Sequence, residues 1–191
     1  MNRRANVPAP ASQLVASTPQ PIVFPTKIMS TAGRYTISKS VSVPCTLLEA
    51  AALVRPDNWR KLSPMLEETQ LIEEDVLFEK AVLRWNRVRL QTLEVFLRVH
   101  YTLTEDVART DYSLMYERNN RILVDEGYGE ARVLPGKTGW IHYTALKTIE
   151  FSSRLLNSLA AEYLSTLADQ AVGGLLNALE VSRRTAHAGD R

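Results

Sequence analysis

The segment VSVPCTLLE joins the end of a strand to the start of a helix, and it constrains the fold more than any other stretch of the chain. Residues 34–43 alternate as a strand does, and Pro44 removes the backbone donor that would extend a sheet ladder. Thr46 and Glu49 have the spacing of a capping box, in which each side chain bonds to the other residue's backbone N–H. The pattern therefore predicts a strand followed directly by a short helix over residues 47–54.

A tryptophan-bearing turn and a series of strands follow this helix. The turn contains Trp59, and Pro56 and Pro64 bracket it because the residue before a proline is excluded from the helical region. Beyond it, alternation and turn residues predict six further strands, which makes seven with the first. Short connections between them favour an antiparallel meander with one buried face. The six predicted strands are Glu67–Glu74, Val76–Trp85, Leu93–Leu103, Thr110–Tyr116, Arg121–Val133 and Gly139–Ile149.

The chain is predicted to end in one long helix, from about Ser152 to Arg183. Apolar residues recur there at steps of three and four, which gives a continuous apolar stripe. Gly173 and Gly174 interrupt the stripe, and each costs about 1 kcal/mol relative to alanine in a helix. They indicate either a kink or close packing of the helix on the sheet, or alternatively clearance for a ligand.

Composition and charge exclude several classes of protein. The chain of 191 residues is 45% hydrophobic, which suits one domain with a sizeable core, and no apolar run approaches the roughly 18 residues of a spanning helix. Residues 49–191 carry 18 basic and 21 acidic side chains, so the charge does not favour nucleic-acid binding. The one cysteine, Cys45, favours a reducing compartment. We expect no metal, no cofactor, no nucleic acid and no stable membrane insertion, and a monomer or a homodimer.

The amino-terminal 33 residues differ in composition from the rest. Residues 1–48 contain no acidic side chain, and residues 1–30 contain five prolines among scattered Ser, Thr and Ala. Such a segment is typical of a disordered leader, and we expect a cytoplasmic protein. The alternative is an organelle transit peptide, but the prolines disfavour its amphipathic helix. We therefore predict a disordered leader at 1–33, one domain at 34–183 and a disordered tail at 184–191.

The order of these elements resembles the helix-grip superfamily, which includes START domains, birch-pollen-allergen-like proteins and polyketide cyclases. The resemblance implies an α+β fold, in which a seven-stranded curved antiparallel sheet surrounds the long C-terminal helix and two short helices follow strand 1. It also implies a hydrophobic cavity between the sheet and the helix. It rests on the segments Val41-Ser42-Val43-Pro44, Asn58-Trp59 with Ser63-Pro64, Glu126-Gly127-Tyr128-Gly129 and Pro135-Gly136-Lys137-Thr138.

Several tyrosines fall on strand faces that alternation assigns to the inside. A buried tyrosine must place its hydroxyl against a polar partner, which is easier around a ligand or a wet cavity than in a dry core. The alternative is that these residues lie at strand ends with their hydroxyl groups in solvent. The predicted ligand-binding residues are Tyr101, Tyr112, Tyr116, Tyr128, Trp140 and Tyr163.

Candidate catalytic residues are Glu126, Tyr128 and His142. If Tyr128 points inward, so does Glu126, and a carboxyl group in an apolar cavity can act as a general acid or base. The alternatives are that Gly127 marks a bulge that turns Glu126 outward, and that His142 is a surface histidine. Two functions follow. The first is binding of a small hydrophobic molecule (a lipid, an isoprenoid quinone or a polyketide-like compound), and the second is a cyclase or aromatase reaction on a polyketide-like substrate.

Overall fold

The computed structural model describes residues 19–63, 65–85, 88–116 and 121–189, without the side chains of 83–85, 88, 90, 159–163 and 182–189. Nine strands form one sheet in which every described pairing is antiparallel. The strands are β1 (Ile22–Val23), β2 (Lys27–Thr31), β3 (Arg34–Pro44), β4 (Leu66–Glu73), β5 (Val76–Trp85), β6 (Val88–Leu103), β7 (Val107–Leu114), β8 (Ile122–Val133) and β9 (Trp140–Phe151). The helices are α1 (Leu47–Val54), α2 (Trp59–Leu62) and α3 (Arg154–Gly189), with a 3-10 turn at Pro56–Asn58.

The strand β3 joins the sheet beside β9, which is distant from it in sequence. The order of the sheet is β1-β3-β9-β8-β7-β6-β5-β4, and β2 also pairs with β3. From β4 to β9 each strand pairs with the next along the chain, which confirms the predicted meander. The helix α3 packs against β3 and β9 and against the short helices.

The predicted helix start is confirmed in detail. The Glu49 backbone N–H donates to Thr46 Oγ1 at 3.3 Å, and the Thr46 N–H donates to Glu49 Oε2 at 2.7 Å. The helix ends at Arg55, before Pro56. Trp59 then donates from its indole Nε1 to the Val54 carbonyl oxygen at 2.9 Å, which fixes the angle between α1 and α2.

The predicted count of seven strands is wrong, because β1 and β2 lie within the segment that was expected to be a disordered leader. In β2 the register pairs Ile28 with Ile37. The free backbone donors and acceptors along this edge of β3 can form ladder hydrogen bonds with the amino-terminal segment. The proline-rich composition of the segment does not reveal this pairing. The first 18 residues of the predicted leader lie outside the described residues. At the other end α3 continues to Gly189, so most of the predicted disordered tail is helical.

The two glycines of α3 have different surroundings. A Cβ atom on Gly174 would overlap the backbone of Leu62 in α2, whereas one on Gly173 would meet open space. Close packing is thus the reason for Gly174, but the neighbour is the helix α2 and not the sheet that the sequence interpretation proposed. Among the described residues, no helix is long and apolar enough to cross a membrane.

Candidate functional site

A cavity of about 150 Å³ lies between the inner face of the sheet and α3. The strands β3 and β5 to β9 contribute to its wall, together with α1, α2 and the middle of α3. Most of the lining is apolar because inward-facing residues alternate with outward-facing ones along each strand. Apolar lining residues include Ile37, Leu93, Val95, Leu97, Ile149 and Ala168.

Charged groups also face this cavity. Lys147 Nζ on β9 lies 2.6 Å from Asp125 Oδ1 on β8, and Asp125 is only 3% exposed. Glu79 on β5 is 5% exposed and lines the same cavity. Buried carboxyl groups are rare unless they are paired, so two of them in one cavity mark this wall as unusual.

Burial changes the protonation of Glu79. Desolvation raises the pKa of its carboxyl group from 4.5 to about 7, while the Lys147 ammonium opposes the rise and the Asp125 carboxylate adds to it. The desolvation effect dominates because the charged form loses its water and gains no hydrogen bond that replaces it. Glu79 therefore gives or takes a proton near neutral pH.

Two tyrosines add hydroxyl groups to the wall. Burial raises the pKa of Tyr143 to about 12 and that of Tyr112 well above 10, so both phenols are neutral at physiological pH. The Tyr112 hydroxyl lies within 2.7 Å of the position a Cβ on Gly127 would take, and Tyr143 Oη lies 3.4 Å from that on Gly129. The glycines of β8 therefore provide the room in which these hydroxyl groups lie.

Trp59 connects the short helices to this wall. Its ring meets that of Tyr112 edge to face, with centroids 5.2 Å apart. Edge-to-face pairs are favourable because the positive ring edge meets the negative face. The predicted tryptophan turn thus closes one side of the cavity, as its place between the helices and the sheet implied.

The structure places the six predicted ligand-binding residues in different surroundings. Tyr112 lines the cavity. Tyr128 borders the cavity as well, but it shares a face of β8 with the exposed Glu126, and its ring packs against the Arg109 guanidinium, 4.0 Å from the ring centroid. Tyr116 is 62% exposed. Trp140 is buried beneath the ammonium of a neighbouring lysine, which lies 3.1 Å from its ring centroid. The remaining two are Tyr101 and Tyr163.

Tyr101 lies close to the corner between α1 and α2 rather than in the cavity lining. Burial raises the pKa of its phenol, the charge of Arg55 lowers it, and that of Asp57 raises it. The side chain of Tyr163 lies outside the described residues. Of the six predicted residues, the structure therefore brings Tyr112 to the cavity wall, with Tyr128 at its border.

The three candidate catalytic residues do not converge. Glu126 is exposed, while its neighbour Asp125 is the residue that faces inward. His142 Nδ1 lies 3.0 Å from Ser42 Oγ, and its ring meets that of Phe24 at 5.5 Å. These contacts place His142 on the side of β9 that carries the amino-terminal segment.

Sequence reasoning missed Glu79, Asp125 and Lys147. Glu79 lies two residues from Leu77 and from Ala81, both of which are buried, so alternation along β5 could have identified it. Asp125 and Lys147 lie on strands where glycines, a bulge or an ambiguous face obscure the alternation. Their signal appears only in the strand pairing.

No protein-family model matches the chain, and no curated protein matches it. Solved structures share its fold. Human StAR-related lipid transfer protein 5 matches with a TM-score of 0.59 and 12% identity, over 83% of this chain and 88% of that one. A START superfamily protein from Mycobacterium smegmatis matches with a TM-score of 0.55 and 13% identity, over 74% and 97% of the two chains. The Zhui aromatase/cyclase from a Streptomyces species matches with a TM-score of 0.52 and 14% identity, over 82% and 98%. The chain therefore has the helix-grip fold, as its sequence indicated.

Proposed function

We propose that the protein binds a small hydrophobic molecule, such as a lipid, an isoprenoid quinone or a polyketide-like compound, in the cavity between the sheet and α3. The observation that carries the proposal is the cavity of about 150 Å³ with its mostly apolar wall. Protein interiors are otherwise closely packed, and ligand sites are typically apolar cavities with a few polar groups. The fold supports the proposal, since one similar structure is named a lipid transfer protein.

The volume limits which part of a molecule enters. An apolar cavity of roughly 150 Å³ holds one benzene-sized ring, and the volume here is about 150 Å³. We therefore expect the wall to enclose one ring or a short acyl segment. The remainder of a longer molecule then extends out of the cavity.

Calorimetric titration with cumene, a hydrocarbon of one ring, tests this proposal. Ala171→Leu extends a side chain from α3 into the cavity and should weaken cumene binding about tenfold or more. Asn177→Leu is the matched control, because Asn177 is exposed on the same helix. A wild-type protein that binds no cumene, or equal binding by the wild type and the Ala171 variant, would contradict the proposal. Native mass spectrometry of the purified protein then identifies the molecule that it carries.

A second candidate function is a cyclase or aromatase reaction on a polyketide-like substrate. It is favoured by Glu79, since a carboxyl group with a pKa of about 7 can accept and return a proton at neutral pH. The aromatase/cyclase with the same fold supports it at the level of the fold alone. Incubation with a linear poly-β-ketone tests it, with the cyclised aromatic product as the readout.

Two variants locate such an activity. Loss of product in Glu79→Gln with normal product in Glu126→Gln places the acid–base group inside the cavity. The opposite result supports the sequence-based candidates Glu126, Tyr128 and His142, which stay predictions. A wild-type protein that forms no cyclised product leaves ligand binding as the function.

A further inference from the structure

Three ionisable side chains from three strands meet at the cavity wall, and we call them the charge cluster: Glu79 on β5, Asp125 on β8 and Lys147 on β9. The strand β5 lies three positions from β8 in the sheet, which in a flat sheet corresponds to roughly 14 Å. All three side chains nevertheless line the same cavity, and the charges of Lys147 and Asp125 act on Glu79. The sheet therefore curves around the cavity, so that Glu79 faces the other two across it.

Within the cluster, Lys147 and Asp125 neutralise each other. Their ion pair is 2.6 Å long, and its members are 19% and 3% exposed. A close ion pair in a buried site offsets much of the desolvation of both ions. Glu79 is then the group whose ionisation adds an uncompensated charge to the cavity.

Within the described part of the chain, Asp125 Oδ1 is a buried oxygen that has its ion pair with Lys147 but no hydrogen-bonding partner. No hydrogen bond to the Glu79 carboxyl group is found among the described residues either, and Lys147 and Asp125 act on Glu79 through their charges. A buried polar group without a partner costs about 1–3 kcal/mol, and such groups in native structures call for an explanation. Because the Glu79 carboxyl group lines the cavity, a molecule inside the cavity can supply the missing partner.

We propose that the charge cluster binds the polar end of the ligand, and that the ligand is an apolar molecule with a neutral carbonyl oxygen, such as a ketone or a quinone, which accepts a hydrogen bond from the protonated Glu79. This inference rests on the proposed ligand-binding function. A site that is built to hydrogen-bond one oxygen discriminates against the analogue that lacks it, since its own buried group then stays unpaired.

The same charges discriminate against a carboxylate ligand. A carboxylate in the cavity would add a negative charge beside Glu79 and Asp125, while the one ammonium of the cluster is already paired. Buried like charges without compensation are unfavourable. The cluster therefore favours a neutral carbonyl compound over a fatty acid.

Among the described residues of the cavity wall, Glu79 has a pKa that burial raises to about 7. Facing it are Lys147 and Asp125, whose ion pair is closed, and the phenols of Tyr112 and Tyr143, whose pKa values are raised by burial. The facing residues of β6 are Leu93, Val95 and Leu97, and those of α3 are Leu167, Ala168 and Ala171, all of which are apolar. A change in binding between about pH 5.5 and pH 8.5 that disappears in Glu79→Gln therefore reports on Glu79.

Three probes of nearly equal size test the proposal by calorimetry: acetophenone, which carries the carbonyl group, cumene, which replaces it by a hydrocarbon, and benzoate. In the wild type, the ratio of acetophenone to cumene affinity should be about fivefold higher at pH 5.5 than at pH 8.5, which is the effect of one net hydrogen bond. Benzoate should bind more weakly than either. In Glu79→Gln the amide still donates a hydrogen bond but does not titrate, so the ratio should stay high at both pH values.

The outcomes separate the two proposals. If both neutral probes bind with the same ratio at every pH, the role of the charge cluster is refuted while ligand binding stands. Tighter binding of benzoate, or a ratio that still changes with pH in Glu79→Gln, also refutes it. If the wild type binds neither neutral probe, the proposed function fails, and this inference fails with it.

Discussion

The strongest prediction concerns the pH dependence of stability that Glu79 imposes. The rise of its pKa from 4.5 to about 7 corresponds to about 3 kcal/mol, at 1.36 kcal/mol for each pH unit. Between these two pH values the folded state holds a proton that the unfolded state has released. The free energy of unfolding therefore falls as pH rises through this interval, with the full stability present below pH 4.5 and the loss complete above about pH 7. The direction is opposite to that of an ion-paired carboxylate, whose contribution is lost on acidification.

The variant Glu79→Gln removes this dependence, because the amide resembles the protonated acid and does not titrate. Urea unfolding of both proteins at several pH values between 5 and 8 should show a stability difference that grows by about 3 kcal/mol across the series, equivalent to roughly 6–12 °C in Tm for a chain of this size. The exposed Glu94 supplies the control, since Glu94→Gln should leave the wild-type pH profile unchanged. Parallel pH profiles for the wild type and Glu79→Gln would refute the assignment of a buried, titrating carboxyl group.

Three further predictions concern packing, and urea midpoints measure each of them. Gly127→Ala should destabilise the protein by about 3 kcal/mol, because the added methyl group overlaps a carbonyl oxygen of β9. Gly129→Ala, whose nearest contact lies at 3.4 Å, should stay within about 1 kcal/mol of the wild type. Equal effects of the two substitutions would refute this difference. Gly174→Ala should destabilise the protein by about 2 kcal/mol, because the added methyl group overlaps the backbone of α2. Gly173→Ala places its methyl group in open space and should stabilise α3 by up to about 1 kcal/mol. A stabilising Gly174 variant would contradict this prediction. Lys39→Met removes the hydrogen bonds from its ammonium to a threonine hydroxyl before β2, at 2.8 Å, and to an α3 carboxylate, at 2.7 Å. It should cost about 1 kcal/mol and speed amide exchange in β2, and unchanged exchange would show that the amino-terminal strand is held by its ladder alone.

The parts of the fold that the sequence predicted are those with a local physical signal. The capping box at Thr46 and Glu49 requires only residues four positions apart or fewer, and the alternation of β6 requires one buried face, with Leu93 to Val99 buried at every second residue. The strands β1 and β2 have no such signal. Their residues are largely exposed, and what orders them is the free edge of β3, a partner that local sequence cannot reveal.

The inward-facing residue of β8 differs by one position from the expectation. Expecting Tyr128 to point inward placed Glu126 inside, whereas the structure places Asp125 there and leaves Glu126 exposed. A shift of one residue exchanges the two faces of a strand. Gly127 and Gly129 have no side chains, so they add no hydrophobic pattern that would show which face of β8 is buried. A bulge between Ile122 and Val124 also shifts the alternation of inward and outward residues at the start of the strand.

The charge cluster is better explained by function than by stability. A buried ion pair such as Lys147 with Asp125 is often no more stabilising than apolar residues of the same volume, and at pH 8 the ionised Glu79 reduces stability by about 3 kcal/mol. An apolar wall would fold more stably and would enclose a hydrocarbon equally well. What it would lack is direction, because a uniformly apolar cavity does not distinguish one end of a ligand from the other. A single polar region on an otherwise apolar wall does, since a carbonyl oxygen bound there fixes which end of the molecule enters and how its ring is turned. Under the proposed function, the stability lost at Glu79 is the cost of orienting the ligand, which both a selective carrier and a cyclase require.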